Sequence, residues 1–491
     1  MEHPFGCVAL GLTALAIALL LLTGLLGPSA AQPPVPGGPS WLPPYHLDVR
    51  PGAGVVTALL LAAALSGALG LGVAMRELRR GWTPDPGRLT LAGAVAALAM
   101  VCVPPMGSAD HLVYAAYGRL AATGGDPYRD TAATLVRDGD PVGVAVEAPW
   151  TDTPSVYGPV ATAEQWLAAR IGGTSVHTTV LVLTLLGAAA FVLTGLLLQR
   201  AAGPDRGARA RVAILWSLNP LLLFVAVNAG HLDAFALVFA VGALLAVRRS
   251  PALAGVLVGL ACAAKISLGL YVLALAWGLR GRPRALAALI GSALLVGIAT
   301  YLPVGLGAFD QMRENTRLVS LAVPLRLVLG PLESALGHDT ARTVIGLFGW
   351  LLAAVVVWLL ARTAARARPA AMAHVTRDSA AAAALLSLAW LLTTPYSLPW
   401  YDVAAWAPLA LLAPSALDGL LLARSTLLVC AYIPGRVVPL PDAVDTLQRT
   451  LRGTVGPWAG AAILVAVVLV SRRAGGPPRL RSPRSPAAPR W

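Results

Sequence analysis

Long apolar runs recur from Cys7 to Val470, separated by short stretches rich in Arg, Pro and Gly. A helix that crosses a bilayer needs about 20 mostly apolar residues, because the hydrocarbon core is about 30 Å thick and each residue rises about 1.5 Å. Runs near residues 6–26, 53–75, 89–106, 175–199, 212–228 and 233–247 fit this reading. Others follow near 285–303, 343–361, 378–396, 403–416, 419–433 and 456–471. The intervening stretch at 252–279 is too long for one simple crossing and has arginines at both ends, Arg248 and Arg249 before it and Arg280, Arg282 and Arg284 after it. Two short or re-entrant helices satisfy that arrangement. The pattern predicts an all-α polytopic integral membrane protein with about 14 membrane segments, forming a single transmembrane domain over residues 1–471.

Arginine clusters mark cytoplasmic ends of membrane helices. Arg76, Arg79, Arg80 and Arg88, and then Arg206, Arg209 and Arg211, put the amino terminus in the cytoplasm. Residues 472–491, rich in Arg, Pro and Ser, are expected to be a disordered basic tail on the same side, close to anionic lipid. The first run resembles a signal peptide ending near Ala30 and Ala31, yet no Lys or Arg precedes it and its apolar stretch is too long. An uncleaved first helix is the expectation. Three segments long enough to hold chemistry then face outward: 107–173, 304–342 and 434–455. The Pro, Gly, Asp and aromatic content of the first and largest predicts short helices and turns lying on the membrane.

Composition supports the membrane class. Hydrophobic residues make up 57% of the 491 and charged residues 12%, against about 45–50% and about 25% in soluble domains. A soluble globular enzyme is excluded. The net charge of +14 arises from 37 basic and 23 acidic residues, and Lys265 is the single lysine. The arginines lie in short clusters between apolar runs, so membrane topology explains them and nucleic-acid binding does not. Cys7, Cys102, Cys262 and Cys430 form no metal-ligand spacing and suggest no disulfide framework. No internal repeat is visible, which argues against a transporter made of inverted halves. Glycine-rich phosphate loops, nucleophile elbows and His-Glu-x-x-His motifs are also missing from the sequence.

The polar residues that interrupt this background are the candidates for chemistry. Asp110, in Gly107-Ser108-Ala109-Asp110-His111, sits where the third run meets the outer surface. A carboxylate near an apolar boundary can be tuned as a general base for a sugar hydroxyl, or it can simply cap a helix. Tyr128, Trp150 and Tyr157 can hold a sugar by their faces or anchor the chain at the interface. His231 and Asp233 meet at an outer rim, where they can orient a phosphate, join Asp110 around a divalent metal ion, or form a solvated turn. Lys265 lies between apolar stretches near the tip of the paired helices and suits an anionic ligand such as a lipid phosphate, with snorkelling as the alternative. Arg313 and Arg317 share a face if helical, either gripping a phosphate or pairing with Asp310 and Glu314. Pro395 to Asp402, including Trp400 and Tyr401, either lines a sugar cavity or breaks a helix.

Taken together these residues resemble the actinobacterial polyprenyl-phosphomannose-dependent α-1,6-mannosyltransferases, polytopic enzymes of the GT-C glycosyltransferase fold. The resemblance is carried by Asp110-His111-Leu112-Val113-Tyr114 with Gly118-Arg119, by Asp126-Pro127-Tyr128, by Tyr157-Gly158-Pro159, by Leu218-Asn219-Pro220 with His231 and Asp233, and by Pro395 to Asp402. It implies a polyprenyl-phosphate sugar donor, most readily of mannose, and a glycolipid or lipomannan-like envelope acceptor. It also implies an outward-facing active site at the cell membrane, with Asp110 as the catalytic base. His111 stands where such enzymes often carry a second acidic residue. Lys265, His231, Arg313 and Arg317 are the expected donor-phosphate ligands, and His111, Tyr128, Trp150, Tyr157, Asp233, Trp400, Tyr401 and Asp402 the expected sugar and acceptor contacts. A divalent ion is the one cofactor to consider. The competing functions are a flippase or transporter of a lipid-linked sugar, which would not need Asp110 for turnover, and a structural membrane partner without activity.

Overall fold

The computed structural model describes residues 4–368 and 372–475, and every regular element among them is a helix. The long helices are α1 (Pro4–Leu25), α2 (Ala53–Arg79), α3 (Pro86–Val101), α4 (Val176–Ala202) and α5 (Arg206–Asn228). Next come α6 (Asp233–Ala246), α7 (Pro251–Ala264), α8 (Ile266–Gly278) and α9 (Pro283–Tyr301). The chain continues through α10 (His338–Arg366), α11 (His374–Thr393), α12 (Val403–Ala410), α13 (Ala416–Tyr432) and α14 (Gly456–Gly475). Among the described residues eight helices are long and apolar enough to cross a membrane, counting α14 together with the helical turns before it. Helices α3, α6, α7 and α8 are apolar but shorter.

Each apolar run of the sequence therefore carries a helix, although several are too short to count as a full crossing by length. The stretch 252–279 does fold as two helices, and Lys265 is the extended residue between them (φ −146°, ψ 110°). Helix α12 is 8 residues long, well short of the run at 403–416. Helix α14 continues to Gly475, so the first residues assigned to the tail are helical; residues 476–491 lie outside the described residues.

The local reasons for these elements are plain. Helix α1 buries Gly6, Ala9, Thr13, Ala16 and Leu20, a stripe at the helical repeat, against α2. Asp85, Ser175, Asp205, Ser250 and Ser415 cap α3, α4, α5, α7 and α13 through their side chains. Helix α5 is enclosed along almost its whole length and changes course at Asn219-Pro220. There the Asn219 side chain accepts from the amides of Leu221 and Leu222 and donates to the Leu215 carbonyl, replacing ladder bonds that proline interrupts. Helix α9, by contrast, buries only Leu289 and turns an almost wholly apolar surface outward.

Between α3 and α4, the 107–173 segment is a compact set of short helices. Asp110–Ala122 and Pro159–Gly172 pack closely, because Gly118 lies so near the Gln165 carbonyl that a Cβ there would come within 2.1 Å of it. Nine residues of Asp110–Ala122 are buried, from His111 to Leu120, so this helix is part of the core and not a surface strap.

Candidate active site

Asp110 is the first residue of its helix, but it does not act as the cap; that position belongs to Ala109. Its own amide donates to Ser108 Oγ at 3.1 Å, which turns the carboxylate toward a cavity of about 300 Å³. The 107–173 segment furnishes Asp110, Tyr114, Tyr117, Trp150 and Tyr157 to the wall. The connection from α11 to α12 adds Tyr396, Trp400 and Tyr401, and the end of α13 with the chain beyond it adds Tyr432, Arg436 and Arg452. An aromatic wall with a few fixed polar groups suits the faces and hydroxyls of a sugar.

A small polar network surrounds the carboxylate. Tyr114 donates its hydroxyl toward Asp110 Oδ2 at 3.5 Å, and lies 3.1 Å from the Tyr157 hydroxyl and 3.4 Å from His231 Nδ1. His231 Nδ1 is 3.6 Å from the same Asp110 oxygen, and its ring stacks on Trp400 with centroids 3.6 Å apart. The Asp110 side chain keeps 20% of its surface open, enough to meet a ligand. Burial is the largest influence on its proton affinity, outweighing the Ser108 bond and the positive field of Lys265, and the pKa is pushed up to about 6. Such a carboxylate is mostly ionised at neutral pH yet basic enough to accept a proton.

Lys265 and Asp233 form the second feature, just behind Tyr401. Lys265 Nζ lies 2.5 Å from Asp233 Oδ1 and 4.0 Å from the centre of the Tyr401 ring. The pair is nearly closed to solvent, so each charge is the other's main compensation. A metal ion at Asp110, His231 and Asp233 does not fit this arrangement. Lys265 occupies Asp233 Oδ1, and no group of three or more His, Cys, Asp or Glu side chains among the described residues is placed to hold an ion.

Of the residues singled out in the sequence, the fold brings Asp110, Trp150, Tyr157, Trp400 and Tyr401 to one cavity, with His231 between Asp110 and Trp400 and the Lys265–Asp233 pair behind Tyr401. Others lie elsewhere. His111 is fully buried and absent from the cavity wall, with burial pushing its imidazole down to about 3, so it stands as a neutral packing group. Tyr128 is buried with its hydroxyl 2.8 Å from Thr162 Oγ1, tying the turn that holds it to the helix Pro159–Gly172. Asp402 does not line the cavity: it pairs with Arg424 and accepts from Ser425 Oγ at 2.5 Å, which anchors the turn that presents Trp400 and Tyr401. Arg313 and Arg317 do not share a helical face, because the helix Asp310–Asn315 ends between them. Both are exposed, with Asp310 at 3.3 Å from Arg313 and Glu314 at 4.0 Å from Arg317.

Sequence reasoning missed Glu147, Arg436 and Arg452. Arg436 reaches Glu147 with its Nε 3.1 Å from each carboxylate oxygen and also bonds the Ser29 carbonyl, tying three distant loops together. The one signal for these arginines was their position in the 434–455 segment, away from the clusters that explain most basic residues here.

Residues 8–281, more than half of the chain, match the family described as alpha-(1->6)-mannopyranosyltransferase, N-terminal domain. No curated protein and no solved structure matches it. With Asp110, the Tyr114–Tyr157–His231 network and the Lys265–Asp233 pair all inside that matched stretch, the chain belongs to the alpha-(1->6)-mannopyranosyltransferase family.

Proposed function

We propose that this mannosyltransferase takes mannose from a polyprenyl-phosphate carrier and transfers it, with inversion, to an envelope glycolipid or lipomannan-like acceptor. The observation that carries the reading is Asp110: a partly open carboxylate, its pKa pushed up to about 6 by burial, at an aromatic-walled cavity in a membrane-embedded helical body. The lack of a glycine-rich phosphate loop in the sequence favours a donor delivered by the bilayer over a soluble sugar nucleotide.

In the reaction, an acceptor hydroxyl gives its proton to the Asp110 carboxylate while its oxygen forms a bond to C1 of the donor sugar. The C1–O bond to the phosphate breaks at the same time, and polyprenyl phosphate leaves with the electron pair. One displacement inverts the anomeric centre, so a β-linked donor gives an α-linked product. Tyr114 and His231 hold the Asp110 carboxylate in place, and Trp150, Tyr157, Trp400 and Tyr401 offer faces for the sugars. We further place the cavity outside the plasma membrane and both termini in the cytoplasm, because Arg76, Arg79 and Arg80 cluster at the end of α2.

The test is transfer of radiolabelled mannose from polyprenyl phosphomannose to endogenous glycolipid, in membranes containing the wild type or Asp110→Asn at equal abundance. The expected loss in the variant is about 10²–10⁴-fold, the usual worth of a general base. Equal transfer by both would remove Asp110 from the reaction. Transfer by neither would point to a different donor or to a carrier of lipid-linked sugar.

A further inference from the structure

The charged side chains at the cavity wall pair off, with one exception among the cations. Glu147 is held by Arg436, and Lys265 beside the wall is held against Asp233. Arg452 instead donates from Nε to the Ala431 carbonyl at 2.9 Å and from Nη2 to the Tyr432 carbonyl at 3.2 Å. Its guanidinium lies 4.7 Å from the centre of the Tyr432 ring. Among the described residues no carboxylate pairs with it, and its Nη1 donates to nothing. Backbone carbonyls thus fix the plane of this cation without neutralising it. A held guanidinium with free N–H groups facing a cavity is the arrangement that a phosphate takes up by two parallel hydrogen bonds.

The surroundings point to the kind of phosphate. Gly456 and Gly460 let α14 settle on the chain at Ala322 and Pro324, where a Cβ would come within 2.8 and 2.9 Å respectively. Flanking that seam in sequence are Leu321, on the cavity wall, and Val455, and Trp458 follows on α14; all three are exposed apolar side chains. A fixed cation at the wall therefore adjoins an apolar strip leading away from it along a membrane helix.

We propose that Arg452 binds the phosphate of the polyprenyl carrier, with the prenyl chain running out past Leu321, Val455 and Trp458. This role presupposes the lipid-phosphate donor proposed for the reaction. As the C1–O bond breaks, the phosphate gains charge, and a guanidinium already in position stabilises it without rearrangement. Arg452 lies outside the stretch 8–281 that matches the family, so the assignment comes from the cavity alone.

The experiment uses the full chain in detergent and reads tryptophan fluorescence, since Trp150 and Trp400 line the cavity. Farnesyl phosphate, farnesol, inorganic phosphate and phosphatidylglycerol are titrated into the wild type, Arg452→Gln and Arg452→Lys. The wild type is expected to bind farnesyl phosphate at least about tenfold more tightly than farnesol, the usual size of a charge-assisted hydrogen bond. Arg452→Gln should abolish that preference while leaving farnesol affinity unchanged, and Arg452→Lys should retain part of it. If Arg452→Gln does not fold, an unchanged preference in Arg452→Lys overturns the proposal and a partial loss confined to the phosphate supports it. A full preference in Arg452→Gln overturns the role of Arg452 and leaves the donor reading standing. Equal binding of phosphatidylglycerol makes this a bilayer headgroup site, and equal binding of inorganic phosphate makes it a free-anion site; either overturns it. No preference in the wild type fails the donor reading itself, and this role with it.

Discussion

Asp110 holds its proton more tightly than an ordinary aspartate because it is largely withdrawn from water, and this sets the pH dependence expected of the enzyme. A base works only when ionised, so the rate should be full above the raised pKa and fall as pH drops through about 6. Measuring mannosyl transfer at saturating donor between about pH 5 and 8 checks this, and a rate unchanged down to the acid end contradicts it. Lys265 makes a different prediction. Its replacement by Met strands the Asp233 carboxylate in a nearly closed site, which costs about 3–5 kcal/mol in comparable buried pairs. Thermal unfolding in detergent should show a clear drop for Lys265→Met and a substantial recovery in Lys265→Met with Asp233→Asn. If the double variant is no better than the single one, the pair is not what holds these helices together. Asp110 and Lys265 both stood out in the sequence, as a carboxylate at an interface and as a lone lysine between apolar stretches. Which partner each would take was not legible, because Tyr114, His231 and Asp233 reach them by side-chain directions that spacing does not encode.

The helices of the 107–173 segment depend on close approach more than on propensity. Gly118→Ala would push a methyl into the Gln165 carbonyl, and this backbone atom cannot move aside without separating the helix that begins at Asp110 from the helix that follows Tyr157. Overpacking of this kind costs about 1–3 kcal/mol or more, so a reduced yield of folded protein and a lower melting temperature are expected. Gly435 is equally constrained: its φ of +116° disfavours a side chain, and a Cβ would sit 2.3 Å from Gly107 backbone atoms. Gly435→Ala should therefore displace the neighbouring Arg436 from Glu147 and lower transfer, measured in the same membrane assay, more than it lowers abundance. Helical pairing at 252–279 was legible from arginines at both ends of an apolar stretch. The shared face expected of Arg313 and Arg317 was not formed, because the chain ends that helix at Asn315, before it reaches Arg317.

At the scale of the molecule, the cavity is built by residues from Gly107 to Arg452, drawn together across a membrane-type bundle. Its proposed outward orientation predicts that a cysteine at exposed Arg137, in a chain with Cys7 replaced by Ser, reacts with an impermeant maleimide in intact cells. Labelling only after the membrane is opened would invert the topology. The sequence by itself determined the membrane class and the helical segments, because bilayer burial and arginine distribution act locally on each run of residues, and its short motifs carried the likeness to a mannosyltransferase. It also marked Asp110 and the aromatic stretches. Tertiary structure alone decided which of these residues share the cavity, that Asp402 serves as an anchor through Arg424, that Lys265 and Asp233 neutralise each other, and that Arg452 faces the cavity without an acid. Each of those outcomes depends on which side chains the packed helices bring within reach of one another, and Coulombic compensation in a low-dielectric interior depends on distances that only the packed fold sets.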